Sequence, residues 1–129
     1  MSTIKRFEDM EIWKMARKLC KDIYELSIQQ EFRKNYSLVD QIRRSSGSVM
    51  DNIAEGYERD GHKEFIQFLY ISKASAGETR SQLYRAYDCK LITKETFDEI
   101  INEILKLSTK IQNFINYLNK SEYKGNKYK

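Results

Sequence analysis

Proline is absent from this chain of 129 residues, and glycine occurs only five times. Both residues interrupt regular secondary structure, so their scarcity favours long, unbroken helices. The apolar runs are all short, and none approaches the roughly 18 consecutive apolar residues that a membrane-spanning helix requires. The composition therefore predicts one helical domain that does not interact with a membrane.

Cysteine and histidine are also scarce, and Cys20, Cys89 and His62 are the complete set. The cysteines lack metal-ligand spacing and have no histidine near them in sequence, which argues against a zinc site or a cysteine nucleophile. Di-iron chemistry lacks its Glu-x-x-His pairs, and no glycine-rich phosphate loop is present. We expect no cofactor, no metal and no enzymatic activity, and two buried thiols in a reducing cytoplasm.

The net charge of +4 is concentrated at the two ends of the chain. Residues 120–129 carry a net +3, and Lys5 with Arg6 adds +2, which leaves residues 7–119 at −1. The body of the protein is therefore close to neutral. Any binding of a polyanion has to depend on local clusters of basic residues and on the ends.

Apolar residues recur at helical spacing in four segments. The first carries the stripe that begins at Trp13, the second covers about 37–58, the third about 62–90, and the fourth starts after Thr93. Asp9 is positioned to cap the first helix. No alternating pattern typical of strands competes with this interpretation.

The breaks between these segments are short, at about 30–36, 59–61 and 91–93. Short connections make neighbouring helices antiparallel. We therefore predict an all-α fold, an antiparallel up-down-up-down four-helix bundle over residues 1–119. Residues 120–129 lose the apolar period and are predicted to form a basic, disordered tail.

Small side chains cluster in the middle of the third segment, where residues 72–77 read SKASAG. Small residues allow helix backbones to approach closely, and we interpret the cluster as tight packing inside the bundle. A contact between this helix and another subunit is the alternative.

Basic residues on the first and second segments are the clearest functional signal. Those on the first segment repeat every three or four residues opposite the apolar stripe, forming a ribbon that could follow phosphates. A solvated helix face is the plainer interpretation of each cluster. The nucleic-acid-binding candidates are Lys14, Arg17, Lys18, Lys21, Arg43 and Arg44.

Polar residues flank the apolar stripe of the second segment and match a polar flank on the third. Such a position predicts a half-buried polar seam, in which each group has to find a partner. The predicted seam residues are Gln41, Ser48, Asn52, Glu55, Glu78 and Gln82. We expect Arg43 or Arg44 to meet Glu55 or Glu78, within the bundle or across a subunit boundary.

Several of these stretches resemble the 23S rRNA-intervening sequence protein family. The matching pieces are residues 7–13 (FEDMEIW), 41–44 (QIRR), 52–57 (NIAEGY) and 64–69 (EFIQFL), in the order found in the family. Met50 departs from the pattern, because the family usually has a proline there.

The resemblance implies a small bacterial four-helix bundle that assembles into a homo-oligomer, with a pentameric ring as the expected form. It also implies a genomic association with 23S rRNA genes. Ring-shaped accessory proteins of diversity-generating retroelements are distantly similar and bind nucleic acid, so RNA or DNA is the expected partner. A protein-interaction scaffold that binds no nucleic acid is the alternative function.

Overall fold

The computed structural model describes residues 4–59 and 61–127, with side chains as far as Ser121. This part of the chain contains a 3-10 turn at Phe7–Asp9 and five α-helices. The helices are α1 (Glu11–Ser27), α2 (Gln30–Arg33), α3 (Tyr36–Glu58), α4 (His62–Asp88) and α5 (Lys94–Lys127).

The four long helices form an antiparallel bundle, which confirms the predicted fold. Helix α1 packs against α3 and α5, and α4 packs against the same two helices from the other side. The contact between α3 and α4 is the most extensive, and that between α1 and α5 is the smallest.

The core of the bundle consists of the predicted apolar stripes. Each long helix contributes side chains that are almost completely buried, at a gain of about 1.5–3 kcal/mol for a fully buried Leu or Ile side chain. These residues include Leu19 and Ile23 in α1, Ile42 and Ile53 in α3, Leu69 and Leu83 in α4, and Ile104, Leu107 and Ile111 in α5.

The helix starts differ from the one cap that the sequence predicted. Thr93 Oγ1 accepts a hydrogen bond from Thr96 N at 3.2 Å and so caps the start of α5. The predicted capping role of Asp9 is wrong. Asp9 lies in the 3-10 turn, and Met10 occupies the N-cap position of α1 without a side-chain cap.

Helix α2 lies where the sequence predicted only a connection. It is one turn long and buries Phe32, which is 1% exposed and belongs to the core. A single aromatic residue shows no periodicity, so the pattern of apolar residues could not reveal this turn. Beyond it, Asn35 Oδ1 caps α3 by accepting a hydrogen bond from Leu38 N at 3.2 Å.

Glycine permits a close crossing of α3 and α4 at Gly56. A Cβ placed on Gly56 would lie 2.6 Å from Phe68 Cβ and 3.0 Å from a ring carbon of Phe65. The tight packing predicted around residues 72–77 is correct for Ala76, which is fully buried. It is wrong for Gly77, where a Cβ would meet no atom within 4 Å.

Gly47 on α3 resembles Gly77, because a Cβ there would also meet no atom within 4 Å. Both glycines lie inside long helices, where glycine costs about 1 kcal/mol relative to alanine. The packing of a single chain therefore explains neither glycine.

Helix α5 continues to Lys127, beyond the predicted end of the bundle at residue 119. The side chains of residues 122–129 and the backbone of residues 128–129 lie outside the described part of the chain. The predicted disordered tail falls mostly on these residues and stays a prediction.

The Gly56 crossing gives a direct test of the fold. We expect Gly56→Ala to lower the free energy of unfolding by about 1–3 kcal/mol, because the added methyl group overlaps Phe68 close to its backbone. Chemical denaturation measures the change. Gly77→Ala is the matched control and should gain stability from its higher helix propensity. Equal stability of the two variants would contradict a close crossing at Gly56.

Candidate nucleic-acid interface

Three cations line the outer face of α1. Ala16, Leu19 and Ile23 fill the core side of this helix, so residues on the opposite side point into solvent. Lys14, Arg17 and Lys21 are exposed there at spacings of three and four. None of the three forms an ion pair with a carboxylate among the described side chains. We call these three residues the α1 ridge.

Aromatic rings hold two arginines at the ridge. The guanidinium of Arg17 lies 5.7 Å from the centre of the Trp13 ring. Arg43 reaches across from α3, lies 4.7 Å from the centre of the Tyr24 ring and donates from Nε to Ser27 Oγ at 2.8 Å. A ring face neutralises no charge and occupies no N–H group, so the terminal nitrogens of both arginines remain able to donate to an anion.

Lys18 is diverted from the ridge toward α5. Its Nζ lies 2.8 Å from Asp22 Oδ2 and 3.3 Å from Glu103 Oε1. The hydrogen bond to Asp22 raises the pKa of Lys18, with a further contribution from Glu103. Lys18 is therefore a charged residue that already has two acidic partners.

Arg44 also lies apart from the ridge. Its Nε lies 3.1 Å from Asp40 Oδ2, one turn earlier on the exposed side of α3. Successive residues of a helix point about 100° apart, so Arg43 faces α1 while Arg44 does not. Of the six predicted nucleic-acid-binding residues, four share one surface and two pair with carboxylates. The four are Lys14, Arg17, Lys21 and Arg43, and the two are Lys18 and Arg44.

Hydroxyl and amide side chains form a polar seam between α3 and α4. Ser45 Oγ donates to Gln82 Oε1 at 2.6 Å and lies 2.8 Å from Thr79 Oγ1. Ser48 Oγ lies 2.8 Å from Ser75 Oγ and accepts from Asn52 Nδ2 at 2.8 Å. The structure thus brings Ser48, Asn52 and Gln82 together as part of the predicted seam.

The remaining seam residues lie nearer the solvent. Gln41 Oε1 accepts from Arg85 at 3.0 Å, and Glu78 accepts from Gln82 Nε2 at 3.3 Å. Glu55 is exposed and pairs with Arg59 at 3.2 Å.

The arginine–glutamate pairs predicted for this seam do not form within the described part of the chain. Arg43 contacts Tyr24 and Ser27, and Arg44 pairs with Asp40. A flexible arginine meets the nearest acid or ring, and Asp40 lies one turn before Arg44 on the same helix, at a spacing that brings the two side chains together. A pairing across a subunit boundary stays a prediction.

Sequence reasoning missed three members of the seam as hydrogen-bonding groups. Thr79 and Ser72 stand in the apolar column of α4, and Ser45 is not among the predicted seam residues. Ser72 Oγ donates to Val49 O at 2.7 Å, and Thr79 Oγ1 donates to Ser75 O at 3.0 Å. A hydroxyl-bearing residue within an apolar column is the sequence signal for such a group, because a buried hydroxyl requires a hydrogen-bond partner.

The side of the bundle between α1 and α5 holds a half-buried carboxylate. Glu103 lies in a groove of about 540 Å³ beside Met15, Ile100 and Asp22. Burial raises the pKa of the Glu103 carboxyl, the charge on Asp22 raises it further, and Lys18 only partly offsets these effects.

The described residues contain no group of three His, Cys, Asp or Glu side chains that could hold a metal ion. Burial raises the pKa of the half-buried Cys20 thiol, which disfavours a reactive thiolate. Cys89 is exposed, so the prediction of two buried thiols is wrong for that residue. Among the described helices none is long and apolar enough to cross a membrane. The absence of a cofactor, the absence of a catalytic role and the cytoplasmic location stay predictions.

The family model of the 23S rRNA-intervening sequence protein matches residues 8–113 of this chain of four long antiparallel helices. The chain belongs to this family, as its sequence motifs suggested. No functionally curated protein matches the chain at a significant level.

A solved structure shares the fold. It is a crystal structure at 1.70 Å of a protein of unknown function from the S23 ribosomal protein family of Bacteroides thetaiotaomicron VPI-5482. The two are 23% identical with a TM-score of 0.74, over 81% of this chain and 97% of the other. At this identity the likeness establishes the architecture alone.

The raised pKa of Glu103 predicts a pH-dependent effect of Glu103→Gln. The folded state holds this proton up to a higher pH than the unfolded chain does. Ionisation of Glu103 therefore reduces stability as pH rises from the ordinary value of 4.5 through the folded pKa. We expect Glu103→Gln to be more stable than the wild type at pH 7, by about 1 kcal/mol or less because the site is partly solvated.

The comparison is made by thermal unfolding at pH 4 and pH 7. The advantage of Glu103→Gln should shrink at the lower pH, where the wild-type carboxyl is protonated. Glu99→Gln, at an exposed position one turn earlier in α5, is the matched control and should change stability little. If the gain in stability of Glu103→Gln over the wild type were smaller at pH 7 than at pH 4, the prediction would be wrong.

Proposed function

We propose that this protein is a non-enzymatic homo-oligomer that binds RNA or DNA electrostatically along the α1 ridge and Arg43. The supporting observation is that Lys14, Arg17 and Lys21 are exposed on one face without a carboxylate partner among the described side chains. Lys18 and Arg44 have acidic partners and play a secondary part in this proposal.

The dimensions of the ridge suit a phosphate backbone. Lys14 and Lys21 are seven residues apart, which is about 10 Å along the helix axis at 1.5 Å per residue. Neighbouring phosphates on one strand can approach such a row together, and each contact releases condensed counterions. Affinity of this origin requires no base-specific contact, so the target can be RNA or DNA.

Assembly would strengthen a ridge that is weak alone. Three or four cations make few phosphate contacts, and the body of the chain is almost neutral. Several copies in one particle would present several ridges to the same strand and raise the apparent affinity by avidity. The pentameric ring implied by the family resemblance is the form that we propose for this particle.

The alternative function is a scaffold that recruits a protein through the α4 seam and binds no nucleic acid. Ser75 and Gln82 are buried between α3 and α4 and already have hydrogen-bond partners. These groups are not available to a partner protein without opening the bundle, which favours the α1 ridge as the binding surface.

Reversal of charge on the ridge tests the proposed function. We expect Lys14→Glu with Lys21→Glu to weaken binding to a single-stranded RNA by at least roughly tenfold. The slope of the logarithm of the binding constant against the logarithm of salt should fall by about 1.4, or about 0.7 for each lost phosphate contact. Fluorescence anisotropy over a range of salt concentrations measures both quantities.

Lys90→Glu with Lys106→Glu is the matched control, because it changes the net charge equally at exposed positions away from the ridge. The control should lose much less affinity. Equal losses in the two double variants would mean that net charge alone drives binding. Binding by the wild type that does not depend on salt would contradict an electrostatic interface.

A further inference from the structure

Helix α3 presents an acidic outer face. Asp40, Asp51, Glu55 and Glu58 are all exposed on it. Asp40 is paired with Arg44, whereas Asp51 forms no ion pair among the described side chains. This face lies one helix away from the basic α1 ridge, so the two surfaces differ in sign.

The side of α4 next to α5 carries an aromatic and basic row. Tyr70 and Tyr84 are 49% and 51% exposed, although the Tyr84 ring lies 4.9 Å from the ring of Phe97 on α5. Lys73 lies between them along the helix, is half-buried and donates from Nζ to the amide oxygen of Gln112 on α5 at 2.7 Å, so no carboxylate in the described part of the chain neutralises it. Gly77 completes this row, with open space above it.

The rows on the two helices have mirrored spacing. On α3, Asp40, Gly47, Asp51 and Ala54 follow steps of seven, four and three. On α4, Tyr70, Lys73, Gly77 and Tyr84 follow steps of three, four and seven. Each row forms one stripe along its helix, and antiparallel helices would bring the stripes into register.

Contacts inside the bundle set the heights of these residues. Ser48 lies against Ser75 at 2.8 Å, and Ser45 lies against Thr79 at 2.8 Å. Gly47 is therefore at about the same height along the bundle as Gly77. By the same register Asp51 is level with Lys73, Ala54 with Tyr70, and Asp40 with Tyr84.

We propose that the outer face of α3 in one copy packs against the α4 row of Tyr70, Lys73, Gly77 and Tyr84 in a second copy, with no shift along the bundle axis. Residues at equal height then meet across the interface. Asp51 pairs with Lys73 of the second copy, and the two glycines allow the helix backbones to approach closely there. This inference rests on the homo-oligomer in the proposed function and specifies the surfaces that form it.

The remaining pairs are also complementary in size and chemistry. Ala54 leaves room for the ring of Tyr70 in the second copy, and Asp40 is positioned to accept a hydrogen bond from the hydroxyl of Tyr84. Burial of these exposed rings provides apolar area, and the opposite charges fix the register. This contact accounts for Gly47 and Gly77, which the packing of one chain does not explain.

The proposed contact joins two different faces, so each added copy leaves one face of each kind free for the next copy. Such an assembly ends as a ring when the rotation between neighbouring copies closes. The α1 ridge takes no part in the contact and remains open to a polyanion.

Charge exchange at Asp51 and Lys73 tests the pairing. We expect Asp51→Lys or Lys73→Asp alone to raise the dissociation constant of the assembly at least about tenfold, because like charges then face each other. The double variant Asp51→Lys with Lys73→Asp should recover most of the wild-type association. Sedimentation velocity over a range of protein concentrations measures these constants, and circular dichroism confirms that each variant is folded.

A steric test is independent of charge. A Cβ at Gly77 meets no atom of its own chain within 4 Å, so Gly77→Leu should keep its helix content while losing its assembly. Asn102→Leu, at an exposed position on α5, is the matched control and should assemble normally. If Gly77→Leu assembles like the wild type, the proposed contact is wrong.

The outcomes separate this inference from the proposal on which it rests. A wild-type protein that stays monomeric at all concentrations overturns both the homo-oligomer and the interface. A wild-type oligomer that is unchanged by Gly77→Leu and by the single charge variants overturns the interface alone. Loss of association in the single variants, with recovery in the double variant, supports the interface. If the double variant keeps the wild-type affinity for RNA, RNA binds outside this interface.

Discussion

The packing of α3 against α4 fixes more of this molecule than any other contact, and it depends on small and hydroxyl-bearing side chains. Gly56 lets the two helices cross closely at one end. Farther along, Ser48 meets Ser75 and Ser45 donates to Gln82, so these helices cannot slide past each other without losing buried hydrogen bonds. An interface of large apolar residues alone would tolerate more change of register, because contact between apolar surfaces has no direction.

The opposite side of the bundle is built differently. Helices α1 and α5 share the smallest contact of the four neighbouring pairs, and charged side chains bridge them where Lys18 meets Glu103. Lys18 is drawn from the ridge by this arrangement, whereas Arg43 is brought to the ridge by Tyr24. The basic surface therefore depends on the residues that each cation contacts as well as on the spacing of the cations along α1.

Sequence reasoning succeeded where a residue's environment follows from helical period and failed where partners compete. The stripes through Leu19, Ile42 and Ile104 gave the bundle, because burying an apolar stripe leaves few arrangements of four helices. The partner of Arg44 could not be derived, because acids on its own helix and on α4 were equally plausible in sequence. Phe32 belongs to the core without any periodic neighbour, so only the three-dimensional structure revealed α2.

The acidic face of α3 has a consequence for any encounter with a nucleic acid. Asp51 and Glu58 would repel a strand that approached from their side, while Lys14 and Lys21 would attract it from the other. A lone subunit near a polyanion therefore experiences a torque that turns it before contact. Each molecule would arrive with the same side foremost, and this orientation would be selected by long-range forces rather than by recognition of any base.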